Sequence, residues 1–187
     1  MFYIIIIISA VLIISLTNFL CGYPASLLEI LLNTSLGTIA VIAVDGIFAF
    51  IIRRLTPISW FAPLGKIFIV SEKEAKFYRK IKIKAWKDMV PELGGFTSFS
   101  KSEISDPNDS QYLARFLTES NYGVIIHIAN ALLGFLIAFF PFCSSPSIWI
   151  PIFAVNFVLS LLPVFVLRFT SHTLAKLYKR SLKAAVA

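Results

Sequence analysis

His127 is a side chain suited to proton chemistry, and Glu119 stands eight residues before it. An imidazole that titrates near neutrality can take a proton from a hydroxyl, or it can simply be a hydrogen-bonded packing residue. Eight residues on a helix cover about 12 Å, so the two can bracket one substrate but cannot touch. Asn130 follows His127 one turn along the same face. Asp45 lies in another apolar stretch, two turns before Arg53, where it either pairs with a basic residue or lines a cavity. Glu29 falls in the first turn of that stretch, where the helix dipole tolerates a carboxylate. Asn156 is expected to act as glue between helices.

Other chemistries find no pattern. Five residues after His127 stands Leu132, and five after His172 stands Leu177, so the HxxxxD signature of soluble-faced glycerolipid acyltransferases is absent. There is no Ser-His-Asp spacing, phosphate-binding glycine loop or zinc motif. Asp106-Pro107-Asn108-Asp109 reads as a turn and helix cap, not a calcium loop. Cys21 and Cys143 lack metal or redox spacing and read as small apolar residues, although a disulfide between them is conceivable. Neither metal nor cofactor is expected.

The elements that hold these residues are set by lipid. Of 187 residues 58% are hydrophobic, and the mean hydropathy is +0.84. A soluble domain is about half apolar, so the chain reads as a single integral membrane domain over residues 1–187. A bilayer core takes about 20 apolar residues as helix. Four stretches qualify: about 2–20, 26–52, 123–140 and 149–167. The first has no basic start and no clear cleavage site, which favours a retained anchor over a signal peptide. Twelve of the 17 cations fall between Arg53 and Arg115, and five between Arg168 and Lys183. The short connections 21–25 and 141–148 hold none. The positive-inside rule then puts segment 53–122 and both termini in the cytoplasm. The net charge of +7 is matched to anionic lipid headgroups, not nucleic acid.

Two polar segments look amphipathic. From Glu72 to about Ala85, Phe77, Tyr78, Ile81 and Ala85 share one arc, opposite Lys73, Lys76, Lys80, Lys84 and Lys87. Lys82, Ile83 and Trp86 do not fit that wheel, so Lys80–Lys84 reads equally as a short extended piece. In either form the lysines can reach phosphates while Trp86 lies against acyl chains, or the charges can serve topology alone. Pro91 and Gly94-Gly95 break regular structure, and 112–120 leads as a helix into the third span. Residues 171–187 form a second amphipathic basic helix, capped by Ser171, lying on the inner leaflet. The fold class is therefore all-α: four transmembrane helices with one interfacial helix in the cytoplasmic segment and another at the C-terminus.

The order of these residues resembles a known family. Glu72 precedes Phe77-Tyr78 and the run Ile83-Lys84-Ala85-Trp86-Lys87-Asp88-Met89-Val90-Pro91, with Gly94-Gly95-Phe96 and Lys101 behind it. Tyr112-Leu113-Ala114-Arg115-Phe116, Glu119-Ser120 and His127 follow, then Asn156, Pro163 and Arg168. Over roughly residues 68–180 this resembles the glycosyl-diaponeurosporenoate acyltransferase family of small bacterial membrane proteins. The sequence departs from that pattern at Tyr122, Val124 and Phe169-Thr170-Ser171. The resemblance implies acyl transfer to a sugar hydroxyl of a glycosylated carotenoid or similar glycolipid. Glu119 and His127 would be its polar pair, and Trp86, Lys87, Lys84, Lys101 and Arg168 would bind substrate.

Two functions are thus weighed. One is an acyltransferase at the cytoplasmic leaflet, with an acyl-coenzyme A donor whose phosphates the lysines hold. The other is a non-catalytic subunit that clamps anionic lipid or a membrane partner, as a homo-oligomer or within a complex. A channel is disfavoured by the scarcity of intramembrane polar residues.

Overall fold

The computed structural model describes residues 2–90 and 106–184. Pro91, Gly94, Gly95 and Lys101 lie outside the described residues. Among the latter, four helices are long and apolar enough to cross a membrane: α1 (Phe2–Leu20), α2 (Leu27–Leu55), α5 (Ser110–Leu133) with the 3-10 turn Gly134–Phe139 that extends it, and α6 (Pro146–Ala184). Two short helices, α3 (Glu72–Lys80) and α4 (Ile83–Trp86), stand between α2 and α5. The protein is an all-α membrane protein.

The ends of these elements follow from local chemistry. α1 carries neither charge nor helix breaker, and it stops at Gly22, which adopts φ +78. Tyr23 N–H bonds the Asn18 carbonyl at 3.0 Å and Gly22 N–H bonds that of Phe19 at 3.2 Å, the paired closure of a left-handed C-terminal cap. At the start of α2, Ser26 Oγ accepts from Glu29 N–H at 3.2 Å and Glu29 returns a bond to Ser26 N–H at 3.4 Å. This is a capping box, so Glu29 serves the helix terminus as its position suggested. α5 begins where Asp109 accepts from Gln111 N–H at 2.8 Å, again as the turn residues indicated.

The C-terminal helix requires a correction. No break separates the last span from the expected interfacial helix over 171–187: α6 is continuous from Pro146 to Ala184. Ser171 caps nothing and is buried in mid-helix. Neither glycine nor proline lies between Arg168 and Ala184, so nothing in the sequence stops the helix there.

Beyond Pro146, which opens α6, two prolines sit in its interior, Pro151 and Pro163. Each proline removes the N–H that would bond the carbonyl four residues earlier. For Pro151 that carbonyl is Ser147, and for Pro163 it is Leu159. Asn18 Nδ2 donates to Ser147 O at 3.0 Å, and Tyr3 Oη donates to Leu159 O at 3.1 Å. Both gaps are filled from α1. In lipid, where no water can substitute, this keeps a proline-containing helix intact.

The chain divides into two compact units, residues 1–51 with 127–161, and 52–126 with 162–187. The core of the first comprises Ile14, Val41, Ile137, Cys143, Ile148 and Ile152. Cys143 is buried there, 3.8 Å from the Asn33 carbonyl, and Cys21 is exposed; both are free thiols. In the second unit Leu113, Phe116 and Leu117 of α5 pack with Leu174 of α6. Val70, Ala75, Tyr78 and Ile83 pack with Phe165, Val166 and Phe169 of α6.

This last cluster corrects the helical wheel drawn over 72–85. α3 ends at Lys80, and Lys82 adopts the left-handed conformation at φ 53 before α4 starts. Ile81-Lys82 is therefore a turn between helices, with Lys80 in α3 and Ile83-Lys84 in α4, so the stretch is not an extended piece. Ser71 caps α3, accepting from Glu74 N–H at 3.2 Å. The buried side of α3 is Ala75 and Tyr78, held against α6, while Phe77 is exposed.

Candidate active site

The second unit gathers its titratable groups along one stripe of α6. Arg168, His172 and Lys176 are spaced four residues apart, so they lie one above another on the helix. Two carboxylates from the first turn of α3 meet them. Glu74 takes Arg168 in a fork, Oε1 to Nε at 2.5 Å and Oε2 to Nη2 at 2.9 Å. Tyr78 Oη also donates to Glu74 Oε1 at 2.5 Å. The Arg168 guanidinium, first of all, holds the Glu74 carboxyl below its ordinary value. Burial, then the bond to Glu74, pushes the Tyr78 phenol far above its own.

Two turns along from Arg168, Lys176 Nζ donates to Glu72 Oε1 at 2.9 Å, and this bond depresses the Glu72 carboxyl. His172 lies between these groups, with its side chain only 12% exposed. Its Nδ1 is 3.3 Å from the Val70 carbonyl. A carbonyl only accepts, so Nδ1 donates its hydrogen to it. The other ring nitrogen, Nε2, is buried 3.3 Å from Glu72 Oε1, within ion-pair range, and makes no hydrogen bond. The imidazole is oriented by one oxygen and has a carboxylate ready to stabilise it once protonated.

The other candidate residues are distributed as follows. Glu119 of α5 is ion-paired with Arg53 at 2.6 Å, and the Arg53 guanidinium lies 5.7 Å over the Tyr122 ring. Tyr122, which stands at a departure from the family pattern, stacks on Phe61 with centroids 3.7 Å apart. His127 is half-buried in the part of α5 that belongs to the first unit. Trp86 is half-buried, and its indole N–H bonds the Ile81 carbonyl at 3.1 Å, so it packs in the α3–α4 cluster. Lys87 pairs with Asp88 at 2.9 Å, and Lys84 is exposed. Lys101 lies outside the described residues.

In the first unit Asn156 Nδ2 donates to the Asn130 carbonyl at 3.2 Å, the interhelical role expected of it. The Asn156 amide also neighbours Asp45, whose Oδ1 is buried without a hydrogen bond. Asp45 thus meets an amide, where a basic partner was one expectation. An apolar cavity in this unit is lined by Ile7, Ile14, Val41, Ile152 and Asn156 among others, and Asp45 is not part of its wall. No group of three metal-ligating side chains occurs among the described residues.

His172 and Glu72 did not stand out in the sequence as a pair because a hundred residues separate them. The signal was present in another form: a four-residue basic period on one helix and two glutamates in one helical turn.

Comparison with known families decides the affiliation. The family model described as glycosyl-4,4'-diaponeurosporenoate acyltransferase matches residues 57–180. The chain belongs to this acyltransferase family. No curated protein and no solved structure matches it. The family match takes in α3, α4, α5 and α6 up to Arg180, and so includes Glu72, Glu74, Glu119, His127, Arg168, His172 and Lys176. It leaves out α1 and all of α2.

Proposed function

We propose that this protein transfers an acyl chain to a hydroxyl of a glycolipid or glycosylated isoprenoid at the cytoplasmic leaflet, with His172 as proton acceptor. The observation that carries this reading is the His172 imidazole, oriented by the Val70 carbonyl and set beside the Glu72 carboxylate, within the family-matched region. Nε2 is buried at rest, so the acceptor hydroxyl must first be admitted to it; the hydroxyl then gives its proton to Nε2 as its oxygen attacks the carbonyl carbon of an acyl-coenzyme A thioester. The C–O bond forms, the C–S bond breaks, and the proton leaves on the thiol. Glu72 stabilises the imidazolium between these steps. Positioned proton transfer of this kind contributes about 10²–10⁴-fold in rate.

The exposed lysines of α3, α4 and the turn between them, Lys73, Lys76, Lys80, Lys82 and Lys84, supply a cationic surface for the phosphates of the donor or of anionic lipid. The placement of all 17 cations on two segments supports a cytoplasmic location of both termini. His127 is the alternative proton acceptor. It lies deeper along an apolar helix, one turn from Asn130. Arg53–Glu119 and Arg168–Glu74 are already paired, which favours a positioning role for those four residues and is also compatible with a non-catalytic lipid-binding subunit.

The test is transfer of a labelled acyl chain from coenzyme A to a glycolipid by purified protein in vesicles, with His172→Gln and His127→Ala in parallel. Loss in the first variant alone supports the assignment. Loss in the second alone moves the chemistry to His127. Absence of any product from wild-type protein that copurifies with a stoichiometric partner favours the subunit.

A further inference from the structure

Residues 56–70 leave the end of α2 and carry an apolar surface that the described residues do not cover. Two 3-10 turns, Ile58–Phe61 and Lys66–Phe68, organise it. Their inward side chains are pinned: Phe61 and Phe68 are buried, with ring centroids 6.1 Å apart. Asn121 Nδ2 donates to the carbonyls of both Phe61 and Ala62 at 3.1 Å. Trp60 N–H bonds the Pro57 carbonyl at 3.1 Å, Gly65 N–H that of Ala62 at 3.0 Å, and Phe68 N–H that of Gly65 at 2.9 Å. The outward side chains are large and exposed: Ile58 70%, Trp60 66%, Ile67 70% and Ile69 49%.

We infer that this segment is a wedge embedded in the headgroup layer of the same bilayer that α2 crosses. Three features favour lipid as the occupant. The segment continues directly from the last turn of α2, where Leu55 is itself exposed. Exposed Arg53 and Arg54 precede the apolar side chains and exposed Lys66 stands among them, matching anionic headgroups. Trp60 is amphipathic, the residue type enriched at that depth. Irregular backbone is not tolerated in the hydrocarbon core, whereas an apolar face about 5–10 Å deep at the acyl boundary is. The segment adjoins Val70, the residue that orients His172, so the wedge fixes the proposed active centre close to the membrane surface.

The wedge is tested by fluorescence in vesicles of phosphatidylcholine and phosphatidylglycerol. Trp86→Phe with Trp149→Phe leaves Trp60 as the sole tryptophan of the original three. Bromine placed near the headgroup end of the acyl chains should remove most of its emission, and aqueous iodide should remove little. Quenching by iodide overturns the inference, and so does protection from both quenchers, which indicates cover by a second copy or a partner protein. Because replacing Trp86 removes a packed indole, a nitroxide on Ile67→Cys, in a Cys21→Ser, Cys143→Ala background, gives an independent reading. Its collisions should favour oxygen over an aqueous nickel chelate; the reverse preference overturns the wedge. Neither readout depends on acyl transfer.

Discussion

The Tyr3 hydroxyl donates to the Leu159 carbonyl at 3.1 Å, the carbonyl that Pro163 deprives of its helical partner. Asn18 does the same for Ser147 opposite Pro151. α1 is thus tied to α6 by two hydrogen bonds, each to a carbonyl that a proline leaves without its helical donor. Hydrogen bonds between membrane helices contribute about 0.6–2 kcal/mol. Tyr3→Phe should therefore lower stability in detergent by that amount. In a Pro163→Ala background the carbonyl regains a main-chain donor, and Tyr3→Phe should then cost little. Equal losses in both backgrounds, measured by thermal unfolding, would show that the hydroxyl is not filling the proline gap.

Gly37 provides a second packing test. A Cβ built on it would stand 3.0 Å from Ile152 Cδ1 and closer still to Cys143 Sγ. Both neighbours are buried, so neither moves freely. Overpacking of this kind costs about 1–3 kcal/mol. Gly37→Ala should destabilise accordingly, and adding Cys143→Ala should restore part of the loss. Additive effects in the double variant would contradict the close approach.

The Glu74–Arg168 fork makes a pH-dependent prediction. Its first cause being the Arg168 bond, the Glu74 carboxyl titrates below its ordinary value of 4.5. A depressed carboxyl contributes stability above the unfolded value and loses it as pH falls through the folded one. The contribution is therefore full at neutral pH and declines below 4.5. A charged hydrogen-bonded pair of this burial is worth about 1.5–3 kcal/mol. Glu74→Gln should cost about that much at pH 7 and progressively less as the medium is acidified, read as the difference in melting temperature from wild type.

The lysine surface predicts a split between kinetic parameters. Lys80→Glu with Lys84→Glu should raise KM for the acyl-coenzyme A donor, and more so at low salt, because exposed charges are screened. The turnover number should change little, since neither side chain reaches the reacting atoms. A fall in turnover at unchanged KM would place these lysines elsewhere in the mechanism.

Much of this architecture is legible in sequence because lipid imposes it. Apolar stretches long enough to span, cations confined to two segments, and caps such as Ser26–Glu29 and Asp109 are local signals. The boundary misread at Ser171 reflects the opposite case. A change from apolar to amphipathic pattern marks a change of surroundings, not of backbone, and α6 passes through it unbroken. The site was legible in part. Glu119 and His127 stood out by residue type, but their partners are set by tertiary packing: Arg53 reaches Glu119 across 66 positions. Glu72 and His172 meet only because Ala75 and Tyr78 seat α3 on α6, a contact that no local period encodes.

The central claim is that His172 Nε2 receives the proton of the acceptor hydroxyl. The direct measurement is single-turnover acyl transfer by wild-type protein and His172→Gln in the same vesicles, with folding monitored by melting temperature. A loss of about 10²–10⁴-fold in rate at unchanged donor KM and unchanged melting temperature is the predicted result. Transfer at the wild-type rate by the folded variant contradicts it.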